Sequence, residues 1–123
     1  MFQNILLVAL GGGLGAVLRY FSNVFFTSNF PSKPYISTLL VNVVGSLLIG
    51  LFYYLTELFD FREGVRIFFV VGFLGSLTTF STFSYEFINM IDEKAFLLAV
   101  KYILLNILLS GICVFLFIRL IKS

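Results

Sequence analysis

The chain contains no histidine, no tryptophan and only one cysteine, Cys113. Without a histidine or a second cysteine it offers no candidate for a transition-metal cluster, for nucleophile–histidine catalysis or for an internal disulfide. Cys113 lies in an apolar stretch, and we interpret it as a small hydrophobic packing residue. No pattern typical of an enzyme is left, so we predict that the protein is not one.

Charged residues are scarce as well. They make up 11% of the 123 residues, whereas soluble domains carry about 25%. Hydrophobic residues account for 60%, and the mean hydropathy is +1.09. This balance excludes a soluble domain and indicates an integral membrane protein.

Four long apolar stretches are separated by short polar connectors. Each is long enough for the roughly 20 residues that a membrane-spanning helix needs, and their continuous apolarity excludes a transmembrane β-barrel. We therefore predict an all-α membrane protein whose residues 1–123 form a single domain of four transmembrane helices, at about 2–26, 36–56, 65–91 and 95–121. The first stretch has no basic leader or small-residue cleavage site, so we expect a retained helix.

The third apolar stretch is interrupted by a run of glycine and hydroxyl residues, Gly-Phe-Leu-Gly-Ser-Leu-Thr-Thr-Phe-Ser-Thr-Phe-Ser at 72–84. Irregular backbone at membrane depth survives only where protein or an aqueous path satisfies its polar groups. Spanning helices that break mid-membrane are typical of ion and solute sites. We predict that the third helix is broken mid-span at such a site.

The basic residues are evenly divided between the two sides of a four-helix topology. One side carries Arg62, Arg66, Arg119 and Lys122, and the other carries Arg19, Lys33, Lys94 and Lys101. The lysine and arginine asymmetry that normally orients a membrane protein is therefore missing. The balance favours insertion in both orientations and a dual-topology antiparallel homodimer, with the small residues at 11–16 suited to close helix packing. The alternative is that one dominant charge sets a single orientation.

Polar residues within the spans recur at helical spacing. Thr38, Asn42 and Ser46 share one face of the second helix, and Tyr102, Asn106 and Ser110 share one face of the fourth. These residues are neutral hydrogen-bond donors, and the only acid within a span, Glu86, is predicted to lie apart from them toward one end of the third. Such stripes resemble an anion path more than a cation path, although interhelical hydrogen bonding remains an alternative.

Two phenylalanines and one arginine complete the candidate path. Phe80 and Phe83 are three residues apart beside the break, and their electropositive ring edges suit a small anion. The alternative for this pair is core packing, because the chain contains 17 phenylalanines. Arg19 lies within the first span, where it either attracts anions or extends its charged end toward the membrane surface.

These segments resemble the small bacterial fluoride channels of the Fluc (CrcB) family. The resemblance runs from Gly-Gly-Gly-Leu-Gly-Ala-Val-Leu-Arg-Tyr at 11–20, through Thr-Leu-Leu-Val-Asn-Val-Val-Gly-Ser at 38–46, to the broken motif at 72–83. It implies a dual-topology homodimer with two antiparallel fluoride pores. It also implies a passive channel in the bacterial inner (cytoplasmic) membrane that exports fluoride accumulated after entry as HF, and so limits fluoride toxicity.

The resemblance also implies roles for individual residues. Phe80 and Phe83 would form a phenylalanine box, Asn42 would be a pore-facing amide, and Arg19 would match the arginine of the first helix. The polar track would contain Ser81, Thr82, Tyr102 and Ser110. The backbone carbonyls of Gly75 and Thr78, with those of a second subunit, would bind a structural sodium ion. Asn106 has no firm counterpart.

The partners expected from this interpretation are fluoride, a second copy of the chain and the lipid bilayer, with no nucleic acid. The main alternative is a small multidrug-type, proton-coupled transporter. That class needs an acid in the first helix, and residues 2–18 contain none. A non-conducting assembly subunit is a third possibility, but it leaves the broken helix and the polar stripes without a purpose.

Overall fold

A computed structural model describes all residues, Met1–Ser123, and every regular element is helical. The elements are α1 (Phe2–Asn29), α2 (Tyr35–Leu58), α3 (Glu63–Arg66), a π-helix (Ile67–Leu74), α4 (Gly75–Leu77), α5 (Phe80–Asp92) and α6 (Phe96–Lys122). Four helical stretches are long and apolar enough to cross a membrane, the third being Glu63–Asp92. The prediction of an all-helical chain with four membrane-capable helices is confirmed.

The connections between the long helices are short. α1 continues to Asn29, three residues past the predicted end, and Pro34 directly precedes α2 with a helical φ of −65°. Between α5 and α6 the chain reverses at Lys94, which has a φ of 60°. This left-handed residue lets a connector of only three residues, 93–95, join two long helices.

The third span is interrupted at two threonines. α4 ends at Leu77, Thr78 and Thr79 have extended backbone angles with ψ of 154° and 120°, and α5 begins at Phe80. The Thr79 hydroxyl then accepts a hydrogen bond of 3.2 Å from the N–H of Thr82 and so caps the new helix. The span therefore contains a helix end and a new helix start within two residues.

The first span packs against the π-helix through glycine. A Cβ atom added at Gly11 would lie 2.2 Å from the carbonyl oxygen of Phe68, and one added at Gly15 would lie 2.1 Å from that of Phe73. The two backbones are thus in direct contact, as small residues allow between membrane helices. Gly11 and Gly15 are the only buried residues of α1, so most of this helix faces away from the rest of the chain.

The other long helices form the second part of the bundle. α2 packs along α6, and α5 packs against both of them. Two small apolar clusters hold this arrangement together: Phe83, Met90, Ala99 and Tyr102 form one, and Val41, Leu74 and Leu77 form the other. The packing turns the polar stripes of α2 and α6 toward the break in the third span.

Candidate functional site

The centre of the site is the side chain of Asn42, which reaches across to the break. Its Oδ1 accepts a hydrogen bond of 2.8 Å from the N–H of Thr79, and its Nδ2 donates to the carbonyl of Thr79 at 3.2 Å. The same Nδ2 also donates to Oδ1 of Asn106 at 3.0 Å. Both peptide groups of Thr79 are therefore satisfied by a side chain of the neighbouring helix, as irregular backbone in a membrane requires.

A carboxylate lies among the polar stripes, which corrects the sequence analysis. Thr38 donates to Oε1 of Glu86 at 2.8 Å, and the Tyr102 hydroxyl donates to Oε2 of the same residue. Glu86 was expected to lie apart from the stripes. Glu86 instead lies among the stripes because of helical spacing. It is three residues after Phe83 and shares its face of α5, which packs against α2 and α6.

The two phenylalanines have different surroundings. Phe80 is 79% exposed, whereas Phe83 is only 9% exposed. Their ring centroids are 5.7 Å apart with the planes tilted by 46°, and Phe83 lies 5.3 Å from the ring of Tyr102. Phe83 is thus anchored in the apolar cluster, and Phe80 presents its ring to the outside of the single subunit.

Hydroxyl groups gather at the start of α5. Oγ1 of Thr79 donates to Oγ1 of Thr82 at 3.1 Å and lies 3.4 Å from Oγ of Ser81. Ser84 instead donates to the carbonyl of Phe80 within its own helix at 2.9 Å. The hydroxyls of Thr79, Ser81 and Thr82 therefore form a local cluster at the helix start, and that of Ser84 belongs to the helix itself.

A groove of about 380 Å³ runs beside the break between α2, the third span and α6. Its polar lining comes from Asn42, Ser46, Thr78, Thr79, Asn106 and Ser110, and its aromatic lining comes from Phe80 and Phe83. Ser110 is notable because its hydroxyl oxygen is buried and has no hydrogen-bond partner within the chain. A buried hydroxyl without a partner is costly, so Ser110 is available to bind something that enters the groove.

Arg19 lies at a second cavity, which shares Thr79 of the break with the groove. This cavity, of about 260 Å³, is also lined by Thr38, Thr79 and Thr82. The Nε of Arg19 donates to the carbonyl of Ser76 at 2.8 Å, beside the end of α4. The carbonyl end of a helix favours a positive charge, so the first span contributes a cation to the break.

Two carbonyl groups at the break have lost their usual helical donors. In a continuous helix the N–H of Thr79 would bond to the carbonyl of Gly75, but here it bonds to Asn42. The N–H of Thr82 would likewise bond to the carbonyl of Thr78, but it bonds to the Thr79 hydroxyl. With Thr78 and Thr79 extended, neither carbonyl receives its usual helical donor.

The structure brings four of the eight residues predicted for the fluoride path together in one groove. Asn42, Phe80, Phe83 and Ser110 line the groove, whereas Arg19 and Thr82 line the second cavity. Ser81 joins the hydroxyl cluster, and Tyr102 is buried behind Phe83 with its hydroxyl on Glu86. Glu86 was not among the predicted site residues, although its position three residues after Phe83 was a usable signal.

Comparison with known proteins gives a consistent answer. Residues 6–118 match the family model described as CrcB-like protein, Camphor Resistance (CrcB). A relative from Shewanella frigidimarina (strain NCIMB 400), named fluoride-specific ion channel FluC, is 43% identical over 120 residues, covering 98% of this chain and 97% of the relative. A relative of the same name from Shewanella woodyi is 44% identical over 113 residues, covering 92% and 89% of the two chains.

Proposed function

The chain belongs to the CrcB family, and we infer that it is a fluoride-specific ion channel, a multi-pass protein of the bacterial membrane. The family match spans nearly all of the sequence, and the relatives are named as channels, which are not enzymes. Nothing favours the alternative of a proton-coupled transporter. In the plasma membrane of the cell, such a channel would let accumulated fluoride leave and so limit its toxicity.

The observation that carries this function is the groove of neutral donors beside the break. Its polar lining consists of amide and hydroxyl groups, with no carboxylate among the lining residues. Glu86 is near, but both of its oxygens accept hydrogen bonds from Thr38 and Tyr102. A small anion entering this groove therefore meets neutral groups that replace its water without binding it too tightly to leave.

Phe80 and Phe83 suit the narrow part of such a path. Ring edges carry partial positive charge, and the two tilted rings stand side by side on the groove wall. We propose that their edges contact fluoride, followed along the path by Asn42 and Ser110 and by the hydroxyls of Ser81 and Thr82, with Tyr102 behind Phe83 as part of the fourth-helix wall. Arg19 would attract anions electrostatically from the second cavity.

We further propose that two subunits pair in opposite orientations. Most of α1 is exposed, and so is the ring of Phe80 at 79%. Because Phe80 lines the groove, its exposure leaves this part of the groove wall open in a single subunit, and a second subunit would cover it. The equal division of basic residues between the two sides fits an antiparallel pair.

A sodium ion at the centre of such a dimer is a further part of the proposal. The carbonyls of Gly75 and Thr78 fit it, because hard cations prefer oxygen ligands and both carbonyls have lost their helical donors. When bound, the ion would supply a fixed positive charge that joins the broken helices of the two subunits. Thr79 and Asn42 keep these carbonyls free in each subunit.

The decisive experiment is ion efflux from liposomes that contain the purified protein. The liposomes are loaded with fluoride or with chloride, a potassium ionophore balances charge, and ion-selective electrodes follow release. We expect rapid fluoride release without ATP or a proton gradient, and little chloride release. Equal release of both ions, or no fluoride release above protein-free liposomes, would contradict the proposal.

A further inference from the structure

Asn106 is the polar residue of the fourth span that the sequence leaves without a role. Only 6% of it is exposed, and it is one of three buried polar residues, with Ser37 and Thr38. A buried amide must find partners for both its carbonyl and its NH₂ group. The partners it has therefore indicate what it does.

Both ends of the Asn106 amide are engaged, and they connect two different helices. Its Nδ2 donates to the carbonyl of Tyr102 one turn earlier in α6 at 3.0 Å. Its Oδ1 accepts from Nδ2 of Asn42 in α2 at 3.0 Å. Asn42 continues the connection to both peptide groups of Thr79, so a chain of hydrogen bonds runs from α6 through α2 to the break.

The hydrogen bonds that connect Asn106, Asn42 and Thr79 have only one possible donor-to-acceptor direction. If the Asn42 amide were turned over, its NH₂ group would face the N–H of Thr79, and two donors would oppose each other. If the Asn106 amide were turned over, its NH₂ group would face that of Asn42, and its oxygen would face the carbonyl of Tyr102. Each amide thus fixes the orientation of the next.

Asn42 depends on this acceptor. Its Nδ2 has two hydrogens, and the structure assigns one to the carbonyl of Thr79 and the other to Asn106. Without the oxygen of Asn106, one hydrogen of a half-buried amide would lack its partner and Asn42 would be free to turn toward the groove. That movement would release the Thr79 peptide and allow the break to change shape.

We propose that Asn106 is a positioning residue that acts through Asn42. It holds the amide of Asn42 on the peptide groups of Thr79 and so maintains the extended backbone between α4 and α5 on which the groove depends. Asn106 lies in the lining of the groove, but both ends of its amide are bonded within the chain, so its effect on the path is exerted through Asn42. The proposal rests on the proposed channel function for its effect on flux, but its structural part can be measured without any ion.

The test compares Asn106→Leu, which keeps the size of the side chain and removes both hydrogen bonds, with the wild type. Backbone amide exchange is followed by mass spectrometry on peptides that cover 78–82 and, as an internal reference, 11–20. We expect exchange at 78–82 to rise about tenfold, as the loss of one buried hydrogen bond predicts, with little change at 11–20. Fluoride flux should fall by a similar factor.

Asn29→Leu is the matched control, because Asn29 is exposed and its amide bonds only to the carbonyl of Phe25 within α1. It should leave both exchange and flux unchanged. Unchanged exchange at 78–82 in Asn106→Leu would overturn the proposal, and lost flux in that case would mean that Asn106 contacts the ion directly. If the wild type itself conducts no fluoride, the channel function fails while the exchange result still decides the role of Asn106.

Two further variants keep the test decisive if Asn106→Leu does not assemble. Asn106→Ser retains a hydroxyl that can accept from Asn42 and donate to the carbonyl of Tyr102, so its exchange at 78–82 should stay within about threefold of the wild type. Asn42→Ala should raise exchange at 78–82, and adding Asn106→Ala, which removes both hydrogen bonds of the Asn106 amide, should raise exchange no further, because Asn106 acts through Asn42. Additive increases in the double variant would contradict the proposal.

Discussion

Asn42 satisfies both peptide groups of Thr79 at the point where the third span is interrupted. The N–H of Thr79 donates to Oδ1 of Asn42 at 2.8 Å, and the carbonyl of Thr79 accepts from Nδ2 at 3.2 Å. One amide of the second span thus replaces two hydrogen bonds that a continuous helix would supply. The break is therefore a stable part of the fold and needs no water in the membrane to satisfy this residue.

Replacing Asn42 by leucine should destabilise the break. The side chain keeps its size but leaves both peptide groups of Thr79 unpaired, and each buried unsatisfied group costs about 1–3 kcal/mol. We expect a lower melting temperature and a fluoride flux reduced by roughly tenfold or more. Asn4→Leu, at an exposed position near the start of α1, is the control. Normal flux and stability in Asn42→Leu would contradict this role.

Gly13 and Gly15, which are two residues apart in α1, should respond very differently to an added methyl group. A Cβ at Gly15 would lie 2.1 Å from the carbonyl oxygen of Phe73, whereas a Cβ at Gly13 meets nothing within 4 Å in the single subunit. Gly15→Ala should push α1 away from the π-helix and cost about 1–3 kcal/mol. Gly13→Ala should cost less thermal stability than Gly15→Ala, because its methyl group meets no atom of its own subunit. Equal effects would exclude direct contact of the two backbones.

The two phenylalanines of the groove separate ion contact from packing. Phe80 is largely exposed within its own subunit, so Phe80→Ile should lower the melting temperature less than Phe83→Ile does, while fluoride flux collapses through loss of the electropositive ring edge. Phe83→Ile should lose flux and also some stability, because Phe83 packs on Tyr102. Gel filtration, thermal unfolding and fluoride efflux are compared for both variants. Full flux in a well-assembled Phe80→Ile protein would refute the aromatic ion site.

Ser110 should matter for flux and not for stability. Its buried hydroxyl has no partner in the chain, so Ser110→Ala removes an unsatisfied group and should be neutral or slightly stabilising. If this hydroxyl binds the permeating anion, flux should fall severalfold at the same time. Ser84→Ala, which removes a hydroxyl bonded within α5, provides the comparison. Unchanged flux in Ser110→Ala would remove this residue from the path.

The orientation of the chain can be measured with one introduced cysteine. In a Cys113→Ala background, Ser123→Cys places a single thiol after the end of α6. If the balanced charges allow both orientations, an impermeant thiol reagent should label about half of the molecules in intact cells, and the rest only after lysis. Labelling of all molecules, or of none, in intact cells would exclude the antiparallel dimer.

Much of the candidate site was visible in the sequence because helical spacing is reliable in long apolar segments. The repeat of polar residues every four positions is enough to place Asn42 on one face with Thr38, and Asn106 on one face with Tyr102. The spacing of three residues puts Glu86 on the Phe83 face of α5, but only the packing of α5 shows that this face meets α2 and α6. The hydrogen bonds of Asn42 could not be predicted from the sequence either, since spacing along one helix does not show which backbone group of another helix lies opposite.

The sequence by itself determined the membrane setting and the four helices that can span it. These follow from local properties, namely the length of the apolar runs and the shortage of charge. Only the tertiary structure decided which atoms satisfy the interrupted backbone and where Glu86 lies. Those contacts join Thr79 to Asn42 and Glu86 to Thr38, residues far apart in the chain. The relative rotation and depth of packed helices set such contacts, and no single helix encodes them.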